Sequence, residues 1–326
     1  MVEYNTLGSW QRAREIVGVL GSPQRVVRSC VRFLQTDFET GTPVRSVSEM
    51  LLQSLLRLPS VKACFYYLNL TLFPDKFREG HKPDADSLLL LYGLDGVATT
   101  LALLHLYRRA KSNCDSQLWV ELSHELHLRA EIGARLGHAI PRIGLSYGFL
   151  LATIQPLAHL VMAGLKPDEF SGYRQFLHDQ GDLYDYELET YTWGATSLQI
   201  AAIMIQSIGL GLPVATTIGQ ELNSINFYEE DLDPLAIRLR IALSWLRTLI
   251  QHSKVPDIKH KGEYYPKEED LNRLLAVCKE LKQDGVQYEW FKVASIRAKH
   301  DPDDSHLNML DQEQIDRLLA GIEVSS

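Results

Sequence analysis

The sequence predicts an all-α fold, and three observations support that prediction. Apolar residues recur at helical spacing in almost every segment of the 326 residues. No segment alternates cleanly between apolar and polar residues over the length of a strand, and no Asn-Gly pair signals a β-hairpin. We therefore expect a multi-helix bundle of about ten or more helices.

Helical segments follow one another from the N-terminus. Ser9 can cap the first helix, and Pro23 lies at the first position of a second helix, after Ser22. Pro59 begins the fourth helix, and two further helices meet near Gly93. In chain order, the predicted helical segments of this half are 9–20, 22–38, 46–58, 59–73, 83–111 and 117–140.

Two later segments, 143–165 and 190–220, carry no Asp, Glu, Lys or Arg, and the first is long enough to span a bilayer. Gln155, Pro156 and His159 lie in the middle of the first segment, where lipid would make the polar side chains costly. Glycines and a proline break the second segment. We therefore interpret both segments as buried helices of a soluble core and expect no membrane partner.

The character of the sequence changes after residue 225. An acidic break precedes a helix at 235–250, a second helix follows at 271–283, and an amphipathic helix is expected at 310–323. We divide the chain into a helical domain of residues 1–225 and a helical C-terminal extension of residues 226–326. We expect the extension to lie outside the main core.

Net charge and cysteines limit the classes of partner and compartment. The formal net charge is -8, whereas a long duplex-binding surface needs an excess of Lys and Arg, so nucleic acid is not expected as a partner. The four cysteines form no C-x-x-C pair, which argues against a thiolate zinc site or a redox dithiol. Isolated cysteines and an N-terminus without a secretory signal predict a cytoplasmic protein.

The pair His178-Asp179 is a candidate metal site, because His-Asp pairs are central to a class of metal-dependent phosphohydrolases. Gly181 follows closely, which is typical of the C-terminal end of a helix. The surrounding residues are polar. We therefore interpret His178-Asp179 as a solvent-exposed pair at a helix end.

A second candidate consists of Glu121, His124 and His127, which lie on one helix face in steps of three residues. Di-iron bundles use a Glu-x-x-His motif on each of two helices, and this chain has one such motif. We interpret it as an exposed polar face. The glycine-rich segment 209–213 lacks the preceding strand and following Lys of a phosphate-binding loop, so we interpret it as a turn between helices.

The order of several motifs resembles the HDOD family, a group of all-α domains related to the HD phosphohydrolases that generally lack their full set of metal ligands. The resemblance extends over residues 18–225 and includes none of the extension. The similar segments are LGSPQRVVRSCVRFLQTD, the helices around Pro59 and Asn69, the segment around Gly93, the helix that contains Trp119, ATIQPLAHLVM, PDEF and ETYTWGATSLQIAAIMIQSIGLGLP. The resemblance implies an HD/HDOD-like bundle.

In that register, other residues stand at the family's metal-binding positions. The His-Asp pair corresponds to Gln155 and Pro156, one histidine to a position near Glu125, a later one to Ser197, and a terminal pair to positions near 221–223. Gln is a weak neutral ligand, and Pro has no side-chain donor atom. The resemblance therefore implies that no metal is bound and that hydrolysis by a metal-activated water is absent.

The same register makes Gln155 and Pro156 structural residues. We expect Gln155 to be buried and hydrogen-bonded, because an unpaired buried amide costs about 1–3 kcal/mol. We expect Pro156 to kink or interrupt its helix, because it lacks a backbone donor.

The resemblance implies a bacterial protein with a regulatory role. The function that follows is a non-catalytic module for signal transduction or protein interaction, with no cofactor. One alternative is a metal-dependent phosphohydrolase with a rearranged site that uses His124, His127 or His178. Another is a small-ligand sensor that binds its ligand in the vacated metal cavity. The sequence identifies neither the protein partner nor the oligomeric state, so a homo-oligomer stays open.

Overall fold

The computed structural model describes residues 7–77, 82–114, 116–221, 234–257 and 262–298. Over these residues the chain forms fourteen α-helices, a π-helical turn at Thr217–Glu221 and no strand, so the predicted all-α bundle is confirmed. The helices are α1 (Leu7–Gly18), α2 (Arg25–Thr40), α3 (Ser46–Leu55), α4 (Pro59–Leu72), α5 (Ala85–Lys111), α6 (Ser116–Ala139), α7 (Leu145–Leu165), α8 (Pro167–Gln180), α9 (Tyr186–Trp193), α10 (Ser197–Ile208), α11 (Leu212–Thr216), α12 (Pro234–His252), α13 (Glu268–Asp284) and α14 (Trp290–Arg297).

Two helix starts differ from the prediction. Ser9 lies inside α1 and not at its N-cap, and its buried hydroxyl accepts a hydrogen bond from Gln199 Nε2 at 2.9 Å, so it joins α1 to α10. Helix α2 begins at Arg25, which leaves Pro23 outside it. Pro59 begins α4 as predicted.

Glycine conformations explain the breaks inside the apolar segments. Gly93 interrupts α5 with φ 72° and ψ 173°, a region that side-chain-bearing residues rarely adopt, so the two predicted helical parts are confirmed. Gly209 and Gly211 both have φ 97° and separate α10 from α11. The predicted turn at 209–213 is therefore also confirmed.

Helix α7 lies at the centre of the bundle. Every residue from Ser146 to Ala163 is buried, and the helix packs against α5, α6, α8, α10 and α12. Helices α5 and α7 are long and apolar enough to cross a membrane, but 61% and 89% of their most apolar windows are buried inside the protein. Such burial is typical of core helices, as predicted for the segment 143–165.

Helices α6 and α7 touch each other backbone to backbone. A Cβ atom added to Gly133 would lie 2.3 Å from the carbonyl oxygen of Gly148, and one added to Gly148 would lie 2.3 Å from the carbonyl oxygen of Gly133. Gly137 is equally close to the carbonyl oxygen of Gly144. Because these distances leave no room for a side chain, glycine alone permits the crossing, which fixes α6 against α7.

The C-terminal extension contributes to the main core. Trp245 of α12 and Trp290 of α14 are fully buried and belong to the same hydrophobic cluster as α7. The expectation that the extension lies outside the core is therefore wrong, because its aromatic side chains fill part of that core. Helix α14 was not predicted. The division at residue 225 stays a prediction, and the helix expected at 310–323 falls outside the described residues.

The glycine contact generates a stability prediction. We expect Gly148→Ala to lower the free energy of unfolding by at least about 2 kcal/mol, because the new methyl group must push α6 away from α7. The measurement is urea denaturation followed by circular dichroism. The matched control is Gly172→Ala in α8, where a Cβ has nothing within 4 Å and the same change should be stabilising by up to about 1 kcal/mol. Similar destabilisation by both variants would contradict the close crossing.

Candidate functional site

The pair His178-Asp179 ends α8 on the protein surface. Gly181 caps the helix in the left-handed conformation, with φ 72°. The side chains of His178 and Asp179 are 85% and 59% exposed, and their nearest polar atoms lie 3.4 Å apart. The prediction of a solvent-exposed pair is confirmed.

The two candidate histidines of α6, His124 and His127, have different surroundings. His124 is largely exposed and lies 3.6 Å from a carboxylate oxygen of Glu289. His127 is fully buried: its Nδ1 is 2.7 Å from the carbonyl oxygen of Ser123, and its Nε2 accepts the backbone N–H of Phe291 at 3.2 Å. The expected exposed polar face is therefore wrong for His127, because α14 covers it.

Two residues that the resemblance aligns with metal-binding positions, Gln155 and Ser197, meet inside the protein. Gln155 is 2% exposed, and its Nε2 donates to Ser197 Oγ at 2.9 Å and to Tyr186 Oη at 3.2 Å. The expectation that Gln155 is buried and hydrogen-bonded is confirmed. Helix α7 continues through Pro156, so the helix is not interrupted there, and the alternative expectation of a kink stays a prediction. Neighbouring helices enclose α7 at this point, and such packing can override a local helix breaker.

A fully buried carboxylate, that of Glu189, lies at the centre of this cluster. Its Oε1 accepts hydrogen bonds from Tyr173 Oη at 2.7 Å, Ser197 Oγ at 2.9 Å and His159 Nε2 at 3.0 Å. Its Oε2 accepts the backbone N–H of Ser197 at 2.5 Å. Burial and the adjacent charge of Glu189 raise the pKa of Tyr173, so its phenol keeps its proton and donates it. We name Gln155, His159, Tyr173, Glu189 and Ser197 the inner polar cluster.

Local structure explains why Ser197 faces Glu189. Thr196 and Gln199 form a capping box, so Ser197 is the first residue of α10. The N–H groups of a helical first turn have no partner within the helix. Glu189, in α9, supplies an acceptor for that N–H, and its negative charge also suits the positive end of the α10 dipole.

Glu125 lies at the outer edge of the inner polar cluster, with 36% of its side chain exposed. Burial acts to raise the pKa of Glu125, but Arg129 and Arg174 outweigh it and hold this pKa below its usual range. Arg129 forms an ion pair with Glu125 and donates to Tyr184 Oη at 2.6 Å, and the Tyr184 ring stacks on that of Tyr186 at 6.2 Å. Glu125 is therefore connected to the cluster through Arg129 and two tyrosines.

Protein side chains fill the space between Gln155 and Ser197. Both hydrogens of the Gln155 amide are used within the protein, and Ser197 both accepts from Gln155 and donates to Glu189. Two cavities of the described chain lie elsewhere: an open groove of about 630 Å³ between α6 and α8, and a cavity of about 190 Å³ beside α6 and α13. This packing disfavours a ligand bound between Gln155 and Ser197.

Metal binding at a rearranged site finds no geometric support in the described residues. Among them, no group of three or more His, Cys, Asp or Glu residues is placed to hold a metal ion. His159 and Glu189 contact each other, but the neighbours that complete this contact are Ser and Tyr hydroxyl groups. The absence of a bound metal stays a prediction, and the terminal positions near 222–223 lie outside the described residues.

Sequence reasoning missed the centre of the cluster. His159 had a usable signal, because it lies four residues after Gln155 and therefore on the same face of an otherwise apolar helix. Glu189 had none of its own, since it is one acid among several in a polar segment. Arg129 and Tyr173 had no signal either, because their partners come from distant parts of the chain.

Two solved structures have a similar fold. One is described as a "putative phosphohydrolase" from Shewanella amazonensis SB2B; it is 13% identical, with a TM-score of 0.53 over 90% of this chain and 99% of that chain. The other is described as a "putative signal transduction protein" from Marinobacter aquaeolei VT8; it is 16% identical, with a TM-score of 0.57 over 91% of this chain and 68% of that chain. At these levels of identity the similarities show the fold alone, which is an all-α helical bundle.

The sequence comparisons add no family. A scan against protein-family models finds no match, and a search of curated proteins finds none either. Membership of the HDOD family therefore stays a prediction.

The buried carboxylate generates a second prediction. We expect Glu189→Gln to lower the free energy of unfolding by at least about 2 kcal/mol, because the amide nitrogen must face a group that itself donates a hydrogen bond. The control is Asp179→Asn, the same chemical change at an exposed site, which should cost less than about 1 kcal/mol. Chemical denaturation of both variants is the measurement. Equal costs would show that Glu189 is not held by four donors.

The buried histidine generates a third prediction. Burial lowers the pKa of His127 from 6.5 to about 4. Between these two pH values, His127 binds a proton in the unfolded chain but not in the folded protein. The free energy of unfolding should therefore fall by about 3 kcal/mol as the pH drops from 6.5 to 4. The contribution of His127 to the pH dependence should fade as the pH rises through 6.5, because the unfolded chain then also loses this proton. Denaturation curves measured across this pH range should show a smaller slope in His127→Gln than in the wild type, and parallel slopes would contradict the assignment.

Proposed function

We propose that the chain is a non-catalytic signal-transduction or protein-interaction module of HDOD type. The observation that carries this proposal is that Gln155, which the resemblance aligns with the histidine of the HD pair, donates both amide hydrogens to partners inside the protein. Pro156, at the aspartate position, has no side-chain donor atom. Hydrolysis by the HD route depends on a metal that lowers the pKa of a bound water, and these two residues cannot hold one.

Contacts between the extension and the site support a signalling role. Arg247 of α12 lies 3.5 Å from Tyr186 Oη, and Gln251 donates to the carbonyl oxygen of Gly181 at 3.3 Å. Both contacts join the extension to residues 181–186, which lead into the inner polar cluster. A partner that moves α12 would therefore alter the surroundings of Tyr186. In this proposal the protein acts in the cytoplasm of a bacterium, without a cofactor and through a protein partner.

The name of one similar structure, "putative phosphohydrolase", favours the enzymatic alternative. The histidines available for a rearranged site have unsuitable surroundings. Both ring nitrogens of His127 are engaged. Among the described residues, the exposed His124 lies beside one carboxylate, that of Glu289, and the exposed His178 beside one, that of Asp179. A small-ligand sensor at the former metal position is also less well supported, because protein side chains occupy that position.

The proposal predicts that the protein binds no metal ion and that two substitutions at Gln155 and Pro156 do not create hydrolytic activity. Protein purified without chelators should contain far less than one iron, manganese, zinc or nickel ion per chain by elemental analysis. The double variant Gln155→His with Pro156→Asp should be less stable than the wild type, because it loses the hydrogen bonds to Ser197 and Tyr186. It should not cleave bis(p-nitrophenyl) phosphate in the presence of manganese, since Ser197 still lacks an imidazole.

His178→Ala is the control for this experiment, because it removes an exposed histidine and should leave metal content and stability unchanged. One tightly bound metal ion per chain that is lost in His178→Ala would overturn the non-catalytic assignment. A gain of both metal and phosphodiesterase activity in the double variant would overturn it as well.

A further inference from the structure

A cavity of about 190 Å³ lies between the loop after α4, the end of α6 and the first half of α13. We name it the α6–α13 cavity. It is separate from the inner polar cluster and shares no residue with it. Its volume is below the range of about 300–1,000 Å³ that is usual for drug-sized ligands. Only a small molecule would fit.

The floor of the α6–α13 cavity is apolar. Phe73 and Leu274 are 6% and 3% exposed, and Val277 lies beside them on α13. The His138 ring stands edge-on to the Phe73 ring, with 5.6 Å between their centroids. A flat apolar group could therefore pack against Phe73 and Leu274.

The rim of the cavity carries more basic groups than acidic ones. Arg135 is held in place, because its guanidinium donates to Glu131 Oε1 at 2.8 and 3.0 Å and to the carbonyl oxygen of Thr71 at 3.1 Å. Lys76 and Arg273 line the rim and form no ion pair within the described residues. The rim acids are Asp75 and Asp270.

The charges around His138 show which sign dominates. Burial lowers the pKa of His138, and Lys76 lowers it further. Arg135 and Arg273 act in the same direction, while Asp270 opposes them. Of the charged side chains that line the cavity, three are basic (Lys76, Arg135 and Arg273) and two are acidic (Asp75 and Asp270), and this excess of basic groups favours an anion.

We propose that the α6–α13 cavity binds a small anion with a flat apolar body, that is, an aromatic carboxylate or an aryl phosphate. Arg273 and Lys76 contact the anionic group, and Phe73 and Leu274 contact the apolar body. A fixed guanidinium such as that of Arg135 suits the planar or tetrahedral oxygens of such a group. Since the cavity lies between α6 of the main bundle and α13 of the extension, the ligand would hold the extension against the bundle.

Phenyl phosphate is the probe, tested by isothermal titration calorimetry on the full chain at low ionic strength, where charge screening is weak. We expect saturable binding of one molecule per chain, and weaker binding of both benzyl alcohol, which lacks the charge, and inorganic phosphate, which lacks the ring. Arg273→Gln should weaken binding by about tenfold or more, since it removes a charged hydrogen-bond donor. The matched control is Arg14→Gln on exposed α1, which changes the net charge equally and should leave the affinity unchanged.

A nuclear magnetic resonance titration of His138 gives a second readout, with its signal identified in His138→Gln. Phenyl phosphate should raise the pKa of His138, because the bound anion offsets the nearby cations. The proposal is overturned if binding is not saturable, if Arg273→Gln and Arg14→Gln bind equally, or if His138 does not respond. If benzyl alcohol bound as tightly as phenyl phosphate, the cavity would have no preference for an anion. If inorganic phosphate bound as tightly, the apolar floor would take no part in binding.

Discussion

The fully buried carboxylate of Glu189 is the constraint on which the site depends. A buried acid is tolerated only where donors surround it, and here they come from α7, α8 and α10: His159, Tyr173 and Ser197. Each of these helices must therefore keep its position for the carboxylate to stay satisfied. Gln155 extends the arrangement through Ser197. Gln155 is thus a hydrogen-bonded link between α7 and α10.

The close contact of α6 and α7 at their glycines positions the residues around this cluster. Because Gly133 and Gly148 bring the backbones of α6 and α7 into contact, the side chains of α6 stand directly beside those of α7. Arg129 and Glu125 therefore close the outer side of the cluster, next to Tyr184. The extension adds a further layer, since its buried tryptophans complete the core and its helix α12 reaches the tyrosines.

The sequence predicted the helical class, the break at Gly93, the burial of Gln155 and the exposure of His178, because each of these depends on local pattern or on polar residues in apolar surroundings. It did not predict the role of Glu189, whose partners are brought together only by the packing of three helices. It also missed α14 and the core position of the extension, because a short helix with two aromatic residues has too little periodicity to be distinguished from a loop. The interruption expected at Pro156 does not occur for the opposite reason: local preference favours a break, and packing on all sides of α7 overrides it.

The central claim is that Gln155 and Ser197 form one hydrogen-bonded unit in place of a metal site. The most direct test is a double-mutant cycle with Gln155→Met, Ser197→Ala and the combined variant, measured by urea denaturation of each protein. A direct hydrogen bond inside a connected cluster predicts a coupling energy of at least about 1 kcal/mol between the two positions. Costs that add within about 0.5 kcal/mol would contradict the claim, because the two side chains would then contribute to stability independently.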